Sequence, residues 1–69
     1  MNQYSREKIA INVCKYRKSH NLKKEELSLI LGFDNSYISK LEKSSINITI
    51  DKLDKIANYF NIKTIDLLK

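Results

Sequence analysis

Two short helical patterns lie on either side of the only glycine in the chain, Gly32. The apolar residues before it that share one helical face are Leu27, Ile30 and Leu31. Beyond the glycine, Ile38 and Leu41 continue this pattern, which predicts a second helix over about residues 35–43. Because only residues 32–35 separate the patterns, the two helices must turn sharply on each other.

The residues of this turn suit the end of one helix and the start of another. Gly32 permits the left-handed backbone that stops a helix. The carboxylate of Asp34 lies where it can cap the free N–H groups of the next helix. Residues 24–43 are therefore predicted to form a helix-turn-helix.

The rest of the chain adds three further helical patterns. The first helix is predicted to begin at Ser5 or Arg6 and to end over residues 19–21. A fourth follows a polar loop over residues 44–48, begins after Thr49, a fair N-cap, and ends at Asn61. A short fifth covers residues 64–68 with Leu67 inside. No linker or repeat interrupts the chain, so we expect one all-α, five-helix domain over residues 1–69.

Composition agrees with a small compact domain. The chain has 69 residues, no proline and 42% hydrophobic residues, which suits a compact helical fold. Its longest apolar runs, such as residues 29–31, are far too short for a membrane span. No signal peptide is evident, and a single cysteine excludes an internal disulfide. We therefore expect a cytoplasmic protein that does not bind membranes.

Catalytic chemistry has little support in this sequence. The only histidine, His20, follows the only cysteine, Cys14, by six residues, which places the two side chains on different helical faces. A single glycine leaves no glycine-rich phosphate loop. The carboxylates mostly stand at helical spacing from lysines and indicate solvated surfaces. We expect no enzyme, no metal, no cofactor and no small-molecule ligand.

The turn residues resemble those of the phage repressor/Cro-type (XRE-like) helix-turn-helix family. The positions that carry the resemblance are Ser28, Gly32, Phe33, Ile38 and Leu41, together with the string SYISKLEK. Two positions depart from the family pattern, because Ser28 replaces the usual alanine and Lys24 a frequent glutamine. The resemblance implies a five-helix fold of the lambda-repressor type. SYISKLEK followed by INITI is similar to the controller proteins of restriction–modification systems.

The formal net charge of +5 is compatible with nucleic acid but does not select it. With Ile38 and Leu41 inward, the open side of the second motif helix carries Asn35, Ser36 and Lys40, which match the family's base-reading positions. Asparagine suits adenine, lysine suits guanine, and serine suits either a donor or an acceptor on a base. The alternative is that these three residues form an ordinary solvated helix face.

Further contacts are expected around the base-reading positions. The predicted phosphate or mixed contacts are Lys24, Tyr37, Ser39, Lys43, Asn47, Thr49 and Lys52. Lys24 stands at a helix N-terminus, where a cation and backbone N–H groups can meet one phosphate. For Tyr37 a structural role is an equal alternative. The resemblance also implies that Arg17 and Glu42 form a scaffold pair between the first helix and the recognition helix.

The predicted function is a sequence-specific transcriptional regulator that binds double-stranded DNA at a palindromic operator as a homodimer. The predicted dimer surface comprises Tyr59, Ile65 and Leu68. The alternatives are a protein-interaction module or an antitoxin on the same scaffold. An interaction module predicts an apolar outer face on the recognition helix. RNA binding is disfavoured because aromatic sheets and glycine loops are absent. The operator sequence, activation or repression, and a restriction–modification, phage or toxin–antitoxin setting all stay open.

Overall fold

The computed structural model describes residues 2–69, which form four α-helices and a final 3-10 turn. The elements are α1 (Gln3–Ser19), α2 (Lys24–Ile30), α3 (Tyr37–Glu42), α4 (Ile50–Tyr59) and the 3-10 turn (Thr64–Leu67). The predicted all-α class is confirmed, but the prediction of five α-helices is wrong at the C-terminus. There, the Asp66 carboxylate accepts a hydrogen bond from the N–H of Lys63 at 3.1 Å. This bond caps a helical segment of only four residues, which is too short for a series of α-helical hydrogen bonds.

The α-helices begin with different capping groups. Asn2 accepts a hydrogen bond from the N–H of Ser5 at 2.8 Å, so α1 begins earlier than the sequence predicts. Thr49 caps α4 as predicted, by accepting from the N–H of Lys52 at 3.2 Å. Lys23 has no side-chain acceptor for α2. Instead, the Glu26 carboxylate accepts from the Lys23 N–H at 2.8 Å, which is half of a capping box.

All four α-helices end with a left-handed residue just beyond the cap. These residues are Asn21 (φ 56°), Gly32 (φ 76°), Ser44 (φ 59°) and Asn61 (φ 59°). The N–H of the following residue then bonds to a carbonyl in the last turn, as Phe33 does to Ser28 at 2.8 Å. The sequence predicts three of these ends but places Ser44 in an ordinary loop. Each left-handed residue lets the chain reverse direction within a few residues.

The core receives side chains from every helix and from the 3-10 turn. Its members are Ile9, Val13, Leu27, Leu31, Ile38, Leu41, Ile48, Leu53, Ile56, Ala57, Phe60 and Leu67. Leu67 is fully buried, as predicted. A buried hydrogen bond from the Asn12 side-chain amide to the Leu67 carbonyl, at 2.8 Å, holds the 3-10 turn against α1. Over residues 2–69, no helix is long and apolar enough to cross a membrane.

Candidate nucleic-acid interface

The turn between α2 and α3 depends on Gly32. Its φ of 76° lies in the left-handed region, where a side chain is disfavoured. Apart from Gly32 itself and its two chain neighbours, no residue has an atom within 4 Å of the place that a Cβ would occupy. The glycine is therefore required for its backbone conformation and not for close approach of another group.

The predicted recognition helix, α3, is shorter than the sequence predicts, because it covers Tyr37–Glu42 and not residues 35–43. The N–H of Tyr37 bonds to the carbonyl of Asp34 at 3.0 Å, which places Asn35 and Ser36 in a turn that leads into the helix. At the other end, Lys43 is the C-terminal cap residue. The two predicted base-reading residues of the turn thus precede the helix, whereas Lys40 lies within it.

The Asp34 carboxylate organises this turn. Its Oδ2 accepts hydrogen bonds from the Ser36 hydroxyl at 2.6 Å and from the Ser36 N–H at 3.3 Å. The hydroxyl bond, and then the N–H bond, lower the pKa of Asp34, and the nearby charge of Lys40 adds to this effect. Asp34 is therefore an ionised acceptor at neutral pH, and its side chain remains exposed.

Ser28 joins the two helices of the motif. Its hydroxyl donates to the Lys24 carbonyl within α2 at 3.0 Å and accepts from the N–H of Ile38 in α3 at 3.0 Å. That N–H lies in the first turn of α3 and has no carbonyl partner within its own helix. Ser28 is fully buried. The hydroxyl therefore fixes the start of α3 against α2.

A buried ion pair joins α3 to α1. Arg17 Nε and Nη2 donate to the two carboxylate oxygens of Glu42 at 2.7 and 3.0 Å. The side chains of Arg17 and Glu42 are only 9% and 6% exposed. Arg17 Nη1 also donates to the Leu22 carbonyl at 2.7 Å. The hydrogen bonds to Glu42 raise the pKa of Arg17. The two residues that the resemblance pairs are thus in direct contact.

Two lysines of α4 lie over aromatic rings at the α2–α3 turn. Lys52 Nζ is 4.6 Å from the ring centroid of Tyr37 and 5.7 Å from that of Phe33. Lys55 Nζ is 5.6 Å from the Phe33 centroid and donates to the Leu31 carbonyl at 3.4 Å. Burial raises the pKa of Tyr37, whose hydroxyl stays protonated at neutral pH. These two lysines of α4 therefore add positive charge beside α3 and the turn before it.

The other predicted contact residues differ in exposure. Lys24, Asn35, Lys40, Lys43, Asn47 and Thr49 are exposed, whereas Ser36, Tyr37, Ser39 and Lys52 are half-buried. Since the Thr49 hydroxyl oxygen accepts from the Lys52 N–H, its hydrogen is available to donate outward. On the predicted dimer surface, Tyr59 and Ile65 are exposed, while Leu68 is half-buried and packs against the core.

The sequence does not predict the contacts of three residues in this region. It predicts only a cap at Asp34, and at Ser28 only a replacement of the family's alanine. It predicts no contact for Lys55, although the spacing of three residues from Lys52 places both lysines on one face of α4. Only the spacing of Lys55 gave a readable signal. The role of Ser28 depends on a contact with another helix.

Comparison with known proteins agrees with this geometry. A helix-turn-helix family model matches residues 15–68. The chain belongs to the XRE-type helix-turn-helix family. Membership confirms the resemblance drawn from the turn residues and makes this XRE-type protein a DNA-binding regulator.

A solved structure is also similar to this XRE-type protein. It is a hypothetical transcription factor, NHTF, from Neisseria, with a TM-score of 0.90 and 26% sequence identity. The similarity covers 100% of this chain and 80% of that chain. The fold described above is therefore shared along the full length of this chain. A search of curated proteins gave no match.

Proposed function

We propose that this regulator binds a palindromic operator as a homodimer, with α3 and the turn before it in the major groove. One observation carries the proposal. Ser28 and Arg17 fix the two ends of α3 to α2 and α1, while Asn35 and Lys40 stay exposed. A recognition helix must be fixed to the rest of the domain on one face and carry polar side chains on its exposed face in order to read a groove.

The base-reading residues in this proposal are Asn35, Ser36 and Lys40. The Asn35 amide can pair with the N6 and N7 atoms of adenine, and the Lys40 ammonium can donate to guanine O6 and N7. Over residues 2–69, none of the large exposed apolar side chains lies on α3. This distribution favours DNA over a protein partner at the outer face of the recognition helix.

Phosphate contacts surround the groove-facing residues. Lys24 at the start of α2, Lys43 at the end of α3 and Lys52 in α4 supply positive charge. Asn47 and Thr49, before α4, supply neutral donors, and we place Ser39 and the Tyr37 hydroxyl in the same class. These contacts hold the protein on DNA without selecting a sequence.

Dimerisation follows from the size of the module. One domain contacts about half of an operator, and a two-fold partner places a second α3 one DNA turn away, roughly 34 Å. Tyr59, the last residue of α4, is 40% exposed, and Ile65, within the 3-10 turn, is 54% exposed. We assign the dimer surface to these residues, with Leu68 at its edge.

Selection from a randomised duplex pool at two salt concentrations tests the proposal. Asn35→Ala should relax the choice of base at one position, at a cost of about 1–3 kcal/mol on the preferred site. Lys24→Ala should weaken all sequences alike and lower the salt slope by about 1. Lys15→Ala removes the same charge from the exposed side of α1 and serves as the matched control. A wild-type protein that enriches no sequence would refute sequence-specific binding.

A further inference from the structure

The Ser36 hydroxyl donates its hydrogen to the Asp34 carboxylate. Ser36 Oγ lies 2.6 Å from Asp34 Oδ2, and an ionised carboxylate can only accept hydrogen bonds. The hydroxyl must therefore be the donor in this contact. A second bond, from the Ser36 N–H to the same Oδ2 at 3.3 Å, holds the carboxylate in that orientation.

This hydrogen bond determines which hydrogen-bonding groups of the turn remain for a base. A free serine hydroxyl can either donate or accept, which is why serine alone specifies little. With its hydrogen directed at Asp34, Ser36 has only oxygen lone pairs left. Asp34 Oδ1 has no hydrogen-bond partner among residues 2–69, so it is another acceptor. The two side chains together form a surface that accepts hydrogen bonds and donates none.

We infer that Asp34 is a further specificity-determining residue, which together with Ser36 selects a base bearing an exocyclic amino group in the major groove. The inference rests on the proposed function, because it assumes that this turn enters the groove. Cytosine N4 and adenine N6 are the amino groups there, whereas guanine O6 and thymine O4 are acceptors. An acceptor surface bonds to the first two bases and leaves the last two unpaired.

The charge of Asp34 supports a contact with a base and not with a phosphate. A carboxylate beside a phosphate is repelled, whereas one beside an amino group receives a hydrogen bond. Lys40 is close enough for its charge to favour the ionised carboxylate. Lys40 thus supplies donors, and Asp34 and Ser36 supply acceptors, within one segment of the motif. We therefore expect a guanine, bound by Lys40, close to the selected amino group.

The test compares the bases selected by variants of the whole chain from a randomised duplex pool. The wild type should prefer cytosine or adenine at one position by about 5- to 150-fold. Asp34→Ala frees the Ser36 hydroxyl to donate, so guanine and thymine should be accepted there. Asp34→Asn keeps the shape and the acceptor for the Ser36 N–H but adds an amide donor, and should relax the same position. Thermal melting establishes that each variant is folded.

Two further variants complete the design. Ser36→Ala leaves the Asp34 acceptors in place, so the amino preference should weaken without reversing. Asp51→Ala removes an equal charge from the first turn of α4, and should change affinity for all sequences without changing base choice.

The inference is overturned if folded Asp34→Ala and Asp34→Asn proteins select the same bases as the wild type. It is equally overturned if the position they relax is guanine or thymine in the wild-type site. A wild type that enriches no sequence instead contradicts the proposed function, so the two failures are distinguishable.

Discussion

The Ser28 hydroxyl accepts a hydrogen bond from the Ile38 N–H at 3.0 Å, and both residues are fully buried. This contact makes a side chain of α2 the partner for a backbone group of α3. The recognition helix therefore begins where a residue ten positions earlier allows it to begin. A buried N–H without this partner would carry its full desolvation cost.

Replacing Ser28 by alanine should therefore destabilise the domain, although alanine is the better helix former. We expect a loss of about 1–3 kcal/mol in the free energy of unfolding, measured by urea denaturation. Ser19→Ala is the matched control, because that exposed hydroxyl bonds only to neighbours at the end of α1, the Tyr16 carbonyl and His20 Nδ1. Equal stability of Ser28→Ala and wild type would contradict the role assigned to the hydroxyl.

The pair of Arg17 and Glu42 should show strong energetic coupling. Both side chains are nearly buried, so removing either one leaves a buried charge without its partner, at a cost of about 3–5 kcal/mol. In a double-mutant cycle to alanine, the coupling should reach about 1–3 kcal/mol. Urea unfolding of the four proteins measures it. Additive single losses would show that the contact carries no pair energy.

Stability should depend on the ionisation of Asp34 in acid. Its pKa lies below the ordinary value of 3.8, so the folded state favours the charged carboxylate. The resulting stabilisation is fully present above pH 3.8 and is lost as the pH falls through the lower folded-state pKa. The difference in melting temperature between wild type and Asp34→Asn should therefore shrink in that acid range.

Asp66 provides a comparison for this pH effect. Its pKa is also lowered, first by the hydrogen bond from the Lys63 N–H and then by Lys69. Asp66→Asn should show the same sign of pH dependence at a place remote in sequence from the motif. A melting difference for Asp34→Asn that stays constant from pH 6 to strongly acid solution would exclude a specific role of its charge.

The dimer surface can be tested by sedimentation at micromolar concentration. The double variant Tyr59→Ser and Ile65→Ser should give a folded monomer with much weaker operator binding, because it removes the exposed apolar area at the C-terminal end. Leu68 is left intact, since it also packs against the core. Ile11→Ser, at a position 64% exposed on α1, is the control. A dimer that survives the double change but not Ile11→Ser would move the interface to α1.

Local signals were sufficient to predict most of the architecture. Helical periodicity identifies α2 and α3, because each helix must direct one apolar face inward. Gly32, Asn21 and Asn61 mark helix ends, since these residue types adopt left-handed backbone most readily. Thr49 marks the start of α4, because its own side chain caps the helix. Each of these features depends on residues that are close together in the sequence, so the sequence alone is enough to predict them.

Contacts between distant segments decided the rest. The Ser28 bond to Ile38, the Asn12 bond to Leu67 and the placement of Lys52 over Tyr37 each join different helices. A serine, an asparagine or a lysine has the same local signal whether it is solvated or bonded to another element. Its partner becomes definite only when the core closes and excludes water, because a buried polar group must then find a bond.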